Sequence, residues 1–138
     1  MSLDRALLAE RSAAVARHLD RVAARLPADP SEFLPATDRS DAVVLHLWLA
    51  VQIVIDLAMS ACVQLHLGAP ATYADAFRAL AAAGTVDRPL AERLVRAAGF
   101  RNLVAHAYES VDMARVYRAA ESGPDDLRGF IAALARMA

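Results

Sequence analysis

The sequence predicts an all-α protein, folded as an up-and-down bundle of four or five main helices in a single domain over residues 1–138. Apolar residues recur with the period of about 3.6 residues that is typical of helices. No segment alternates apolar and polar residues for long enough to indicate a strand. Hydrophobic residues make up 57% of the chain, and many are alanine, leucine or valine, which suits closely packed helices.

The first helix is predicted over about residues 3–26, ahead of a loop at 27–38. Its large apolar residues follow one another at helical spacing and so form a single stripe. That stripe consists of Leu8, Val15, Leu19, Val22 and Leu26. The loop is predicted because three prolines fall within it.

The second helix is predicted to begin near Asp38 to Asp41 and to run to about Leu67, before Gly68. It is apolar nearly all round, so it is either the central helix of the bundle or also faces a second subunit. Its apolar run has the length of a membrane span. Asp56 near its middle would cost at least about 2.5–3.5 kcal/mol in a bilayer, so a buried helix is the favoured interpretation.

Two more helices are predicted between Thr72 and residue 108. Thr72 should cap the first of them, and Gly84 should end it. The other should cover about residues 88–108, because Asp87 precedes a proline that suits a first helical turn.

The last part of the chain is predicted to form two helical segments. Asp112 should cap the first, which should run to Ala120. The pair Gly123–Pro124 should break the helix, and a final helix should hold Leu127 to Leu134.

Charge and cysteine content exclude several classes of protein. The net charge is −1, and no lysine or basic block is present, so bulk electrostatic binding of nucleic acid is excluded. A few placed arginines would have to bind any RNA. The single cysteine, Cys62, excludes an intramolecular disulfide, and no Cys/His spacing is typical of zinc. Because the N-terminus lacks the apolar core of a signal peptide, we expect a cytoplasmic protein.

The segment GFRNLVAHAY, residues 99–108, places four polar side chains on an otherwise apolar helix. Arg101 and Tyr108 are seven positions apart and share a face, and Asn102 and His106 share an adjacent one. Histidine transfers protons near neutral pH, and arginine binds phosphate and stabilises its developing charge. These groups suit cleavage of a phosphodiester without a metal. The alternative is a structural patch in which each polar group is satisfied by a partner.

The motif R-x4-H-x-Y, with asparagine after the arginine, resembles that of HepT-like toxins of the HEPN superfamily. The resemblance extends over most of the chain and includes residues 72–80 and 111–120. It implies an HEPN-like bundle and a homodimer in which two motif helices form one composite ribonuclease cleft. It implies that His106 is the general base or acid and that Arg101 binds the scissile phosphate. Asn102 would orient the phosphate or the histidine, and the product would end in a 2′,3′-cyclic phosphate.

The resemblance also implies a partner, a small nucleotidyltransferase antitoxin of the MntA type. That antitoxin would transfer AMP from ATP to Tyr108, placing a negative charge beside Arg101 and filling the cleft. The expected protein is therefore an endoribonuclease toxin of a type VII system that needs no metal or cofactor. The alternative is a non-catalytic helical subunit that binds nucleotide or substrate for a nucleotidyltransferase, with a motif that recognises phosphate only.

Polar residues outside the motif are expected to have mainly structural roles. We expect His18 to lie at the surface, and His46 and His66 to lie in the core or at an interface. Asp56 should pair with an arginine, either Arg101 or one elsewhere.

Two arginines on the helix of the motif leave two alternatives open. Arg93 and Arg96 precede the motif by one to two turns, and they either extend a phosphate path or belong to a solvated helix face.

Overall fold

The computed structural model describes residues 3–107 and 110–138, except for the side chains of residues 106 and 107. The described residues form five α-helices, and a short 3-10 turn, Pro30–Glu32, lies in the first loop. The helices are α1 Arg5–Arg25, α2 Asp38–Gln64, α3 Tyr73–Ala82, α4 Arg88–Ala107 and α5 Met113–Ala135. The prediction of an all-α bundle is confirmed.

Helix α2 is the centre of the bundle and contacts each of the other four helices. Its length and composition would suffice to cross a membrane, but half of its most apolar window is buried inside the protein. Val43, Leu47, Val54 and Ala58 are among its buried residues. The prediction of a central helix that needs several neighbours is therefore confirmed.

The helix starts are set by short polar side chains that accept a hydrogen bond from a backbone N–H of the first turn. The predicted caps Thr72 and Asp112 are confirmed by bonds from the backbone N–H groups of Asp75 and Ala114, at 3.1 and 2.9 Å. The carboxylate of Asp87 caps α4 in the same way, by accepting from the N–H of Leu90 at 2.7 Å. The caps define the first residues of α3, α4 and α5. For α4 they thereby set which residues share each face of the helix.

The end of α2 differs from the prediction by about one turn. His66 takes a left-handed backbone conformation, φ 61°, and the N–H of Leu67 bonds to the carbonyl of Cys62 at 2.8 Å. This bond closes the helix before Gly68 is reached. His66 is exposed, so of the two expected positions the core is wrong, and a position at an interface stays a prediction.

The predicted break at Gly123–Pro124 is wrong, because α5 continues through both residues. Proline removes one helical hydrogen bond, at a cost of about 3 kcal/mol or more in a helix interior. Here the apolar residues before and after the proline lie on the same face. Val116, Ala120, Leu127 and Phe130 are buried, and so is Pro124 itself. Burial along this continuous face outweighs the local cost.

Candidate active site

Helix α4 carries Arg101, Asn102 and His106 of the motif and is held against three neighbours, α2, α3 and α5. Trp48 of α2 donates a hydrogen bond from its indole Nε1 to the backbone carbonyl of Arg101, at 3.3 Å. Trp48 is half-buried, so its side chain lies between the core and the backbone of the site. The backbone of α4 at the motif is thus fixed to the central helix.

The side chains around Arg101 form a continuous series of hydrogen bonds, which we call the Arg101 network. Arg101 Nε donates to Gln52 Oε1 at 2.8 Å, and Gln52 Nε2 donates to Asp56 Oδ1 at 2.9 Å. On the other side, Arg101 Nη1 donates to Asn102 Oδ1 at 2.9 Å, and Asn102 Nδ2 donates to the hydroxyl of Tyr73 at 3.0 Å. The network joins α2, α4 and α3, and it holds the guanidinium from two sides.

The structure brings together Arg101 and Asn102 and adds three residues to them, Gln52, Asp56 and Tyr73. Asp56 reaches Arg101 only through Gln52, so the expected direct pair is replaced by a relay. The spacing of Gln52 and Asp56, one turn apart on an apolar helix, was the available signal for that relay. No sequence signal pointed to Tyr73, because its contact with Asn102 depends on how α3 packs against α4.

The two remaining motif residues are covered only in part. His106 belongs to the last turn of α4, five positions after Arg101, and its side chain lies outside the described residues. Tyr108 lies outside them entirely. The roles assigned to both from the sequence therefore stay predictions.

The Arg101 network lies on the outward side of α2, next to apolar side chains that the bundle does not cover. Leu45 is 52% exposed, and Val63, at the far end of the helix, is 56% exposed. Leu49 and Ile53, between them, are half-buried. A polar site set in an apolar outward face is typical of a surface that another molecule covers.

A second polar feature, the pair His18 and His46, joins α1 to α2 with its Nδ1 atoms 3.1 Å apart. The expectation that His18 lies at the surface is wrong, since it is half-buried against His46. Burial, together with the charges of Arg21 and Arg17, lowers the pKa of His18 below its ordinary value. Burial also lowers the pKa of His46, aided by His18, Arg21 and Arg25. Within the described residues, no group of three or more His, Cys, Asp or Glu side chains is placed to hold a metal ion.

Arg93 and Arg96 are exposed and lie on a different side of α4 from the Arg101 network. They line a groove between α4 and α5, to which neither Arg101 nor Asn102 contributes. Arg93 and Arg96 are therefore not part of the Arg101 network.

With this geometry established, the family model described as "Ribonuclease HepT-like" matches residues 15–134, a range that contains the whole Arg101 network and the motif. The chain belongs to the ribonuclease HepT-like family. As a member of this family, the chain is of the endoribonuclease class. The resemblance inferred from the R-x4-H-x-Y motif is confirmed.

Relatives of this HepT-like chain include a curated protein and several solved structures. The mRNA nuclease HepT of Shewanella oneidensis is 29% identical over 103 residues, which cover 75% of this chain and 77% of that protein. A mutant MntA–HepT toxin–antitoxin complex contains a chain with 26% identity and a TM-score of 0.84, covering 96% of this chain and 99% of that one. A tri-AMPylated Shewanella oneidensis HEPN toxin in complex with an MNT antitoxin has 25% identity and a TM-score of 0.85, covering 97% and 99%. The fold is thus that of HEPN toxins.

Proposed function

We propose that this HepT-like chain is the endoribonuclease toxin of a type VII, HepT/MntA-like toxin–antitoxin system. The observation that carries the proposal is the Arg101 network, which holds a guanidinium from two sides on a helix that bears His106 five residues later. A fixed guanidinium loses little conformational entropy when it binds a phosphate. Its donors are already oriented, so they can stabilise the negative charge that develops in the transition state.

The proposed reaction is attack by a ribose 2′-OH on the adjacent phosphodiester. His106 acts as the general base or acid, and Arg101 binds the scissile phosphate and the charge that develops on it. Asn102 supports Arg101 by accepting a hydrogen bond from its Nη1. Because the nucleophile belongs to the substrate, no metal-bound water is required. The products end in a 2′,3′-cyclic phosphate, and DNA, which lacks the 2′-OH, is not cut.

The proposed active form is a homodimer with one composite cleft. The exposed Leu45 and the half-buried Leu49 and Ile53 surround Gln52 on the outward face of α2. A second copy related by a twofold axis would cover these side chains with the same face and bring two Arg101 networks together.

The proposed regulator is an MntA-type nucleotidyltransferase that transfers AMP to Tyr108. Two lines of support come from the relatives, which include toxins in complex with MntA and a tri-AMPylated toxin. The added phosphate would bring a negative charge seven positions after Arg101 in the sequence and compete with RNA for that arginine. Intact-mass measurement after co-expression with the partner should show steps of one AMP that are absent in Tyr108→Phe. Equal mass steps in wild type and in Tyr108→Phe would show that another residue is modified.

The catalytic proposal is tested by expressing the chain alone in a bacterium and by incubating the purified protein with labelled RNA in EDTA. Wild type should arrest growth and cleave the RNA, whereas Arg101→Ala and His106→Ala should do neither. Arg118→Ala, an exposed arginine of α5 outside the Arg101 network, is the matched control and should behave as wild type. A wild-type protein as harmless and inactive as the variants would overturn the proposal and favour the non-catalytic subunit.

A further inference from the structure

A groove of about 600 Å³ lies between α4 and α5 and reaches down to α2. Its floor is apolar and formed by the buried side chains of Val51, Phe100 and Leu127. Its volume falls within the roughly 300–1,000 Å³ that is typical of small-molecule sites.

Small residues keep this groove open. Ala97 of α4 and Ala119 of α5 belong to its walls, together with Gly99 and Gly123. A Cβ atom added to either glycine would meet nothing within 4 Å. Both glycines therefore border open space beside the apolar floor.

Arginines surround the mouth of the groove. Arg93 of α4 pairs with Asp126 of α5 at 2.9 Å and so links the two helices. Arg96 and Arg115 also line the groove, are exposed, and take no part in the ion pairs found among the described residues. The groove therefore offers two guanidinium groups to an anion.

Acceptor groups complete the lining. The hydroxyl of Ser122 donates its hydrogen to the carbonyl of Arg118 at 2.8 Å, so its oxygen can act toward a ligand only as an acceptor. The carboxylate of Asp126 is a second acceptor. An acyl chain would satisfy neither acceptor, and a simple anion would leave the apolar floor uncovered.

We propose that this groove binds a nucleoside monophosphate. Its phosphate is held by Arg96 and Arg115 through charge-assisted hydrogen bonds, and its base lies on the apolar floor. The sugar hydroxyls and any base amino group donate to Asp126 and Ser122. This site lies on another side of α4 from the Arg101 network, and it goes beyond the proposed function, because it does not depend on RNA cleavage.

The first experiment titrates the purified full chain with AMP by isothermal calorimetry, with GMP, CMP and UMP in parallel. Adenosine and ribose 5-phosphate separate the contributions of base and phosphate. We expect saturable binding of AMP and at least tenfold weaker binding of either fragment. Equal binding of ribose 5-phosphate and AMP would show a phosphate site only and overturn the assignment of the base to the floor. No saturable binding of any nucleotide at millimolar concentration would overturn the proposal.

Three variants locate the site. The double variant Arg96→Gln/Arg115→Gln should weaken AMP binding at least tenfold, and Gly123→Leu, which fills open space in the groove, should do the same. Arg118→Gln, on the same helix but outside the groove, should leave binding unchanged. Circular dichroism of each variant confirms folding.

Two further outcomes distinguish this site from the proposed active site. Loss of AMP binding in Arg101→Ala, with both groove variants unaffected, would place the nucleotide at the Arg101 network and overturn the groove. Binding of single-stranded RNA that depends on Arg96 and Arg115, without competition by AMP, would make RNA the occupant and overturn the proposal too. Absence of nuclease activity, in contrast, would leave the result of the AMP titration unchanged.

Discussion

Arg101 Nε donates a hydrogen bond to Gln52 Oε1 at 2.8 Å, which ties the guanidinium of the motif to an amide of the central helix. The amide is oriented in turn, because its Nε2 group donates to Asp56 at 2.9 Å. Gln52 is therefore a positioning residue for Arg101, although it does not belong to the motif.

Replacing Gln52 by methionine should lower ribonuclease activity more than it lowers the affinity for RNA. Methionine keeps the length of the side chain and removes the acceptor for Arg101 Nε, so the guanidinium loses its fixed orientation. A misplacement of this kind can cost about 100-fold in rate. Single-turnover cleavage over a range of protein concentrations separates the rate from the apparent Kd.

Gln52→Glu serves as a partial rescue variant, because it restores an acceptor oxygen to Arg101 but loses the donor to Asp56 and brings two carboxylates together. It should recover part of the rate lost in Gln52→Met. Gln64→Met, a glutamine of α2 that bonds to the backbone of Asp4, should cleave as wild type does. A rate unchanged in Gln52→Met would show that Arg101 does not need the relay.

Replacing Tyr73 by phenylalanine should affect both stability and activity. The change removes the oxygen that accepts from Asn102 Nδ2, and the loss of a typical hydrogen bond lowers the free energy of unfolding by about 0.5–1.5 kcal/mol. The cleavage rate should fall as well, because Asn102 helps to hold Arg101. Denaturant unfolding and RNA cleavage are measured on the same preparation.

Tyr117→Phe is the matched control for this prediction. The hydroxyl of Tyr117 donates to the carbonyl of Pro27 at 2.6 Å and takes no part in the Arg101 network. This variant should lose comparable stability without a change in cleavage rate. Equal loss of activity in both variants would mean that Tyr73 acts through general stability alone.

The pair His18 and His46 should make the protein less stable in mild acid. Both folded-state pKa values lie below the ordinary value of 6.5, so the unfolded chain binds protons more readily. The free energy of unfolding should therefore fall as the pH drops from about 7 through 6.5 toward the lower, folded-state pKa values. The charges of Arg17, Arg21 and Arg25 add to this effect.

Denaturant unfolding at pH 8 and pH 5.5 tests this dependence above the main range of carboxylate titration. The double variant His18→Gln/His46→Gln should lose less stability between the two pH values than wild type. His66→Gln, at an exposed position, should lose as much as wild type. An unaltered pH dependence in the double variant would exclude the pair as its source.

Gly123→Ala tests the continuity of α5, and Gly84→Ala, at a glycine with positive φ after α3, is the contrasting control. Gly123→Ala should raise the free energy of unfolding by about 0.5–1 kcal/mol, because alanine favours a helix interior and its Cβ meets open space. Gly84→Ala should lower it by about 1–2 kcal/mol, because Gly84 has φ +80°. Chemical denaturation measures both. Destabilisation by Gly123→Ala would indicate a break in α5 at that residue.

The helices could be predicted from the sequence because their signals are local. The apolar stripe of α1, the caps at Thr72 and Asp112, and the left-handed Gly84 each depend on residues within a few positions. The continuity of α5 could not be predicted in this way. It depends on burial of Pro124 against other helices, which outweighs the local preference of proline.

The candidate site was predictable only along α4. The motif placed Arg101 next to Asn102, but the partners of these residues come from other helices. Gln52 meets Arg101 and Tyr73 meets Asn102 across 49 and 29 positions of sequence. The contact of His18 with His46 spans 28 positions. Such contacts depend on the angles and distances at which the helices pack. These quantities leave no local pattern in a single sequence.

The two hydrogen bonds that hold Arg101 also decide how a substrate can approach it. A guanidinium can grip an oxyanion along its side edge, through Nε and one terminal nitrogen, or along its end edge, through both terminal nitrogens. The side edge is closed because Nε already donates to Gln52. Nη1 gives one of its two hydrogens to Asn102, and among the described residues no acceptor is bonded to its other hydrogen or to those of Nη2. A phosphate bound by two parallel hydrogen bonds must therefore meet the tip of the side chain, and an RNA strand must cross that tip instead of lying along its flank.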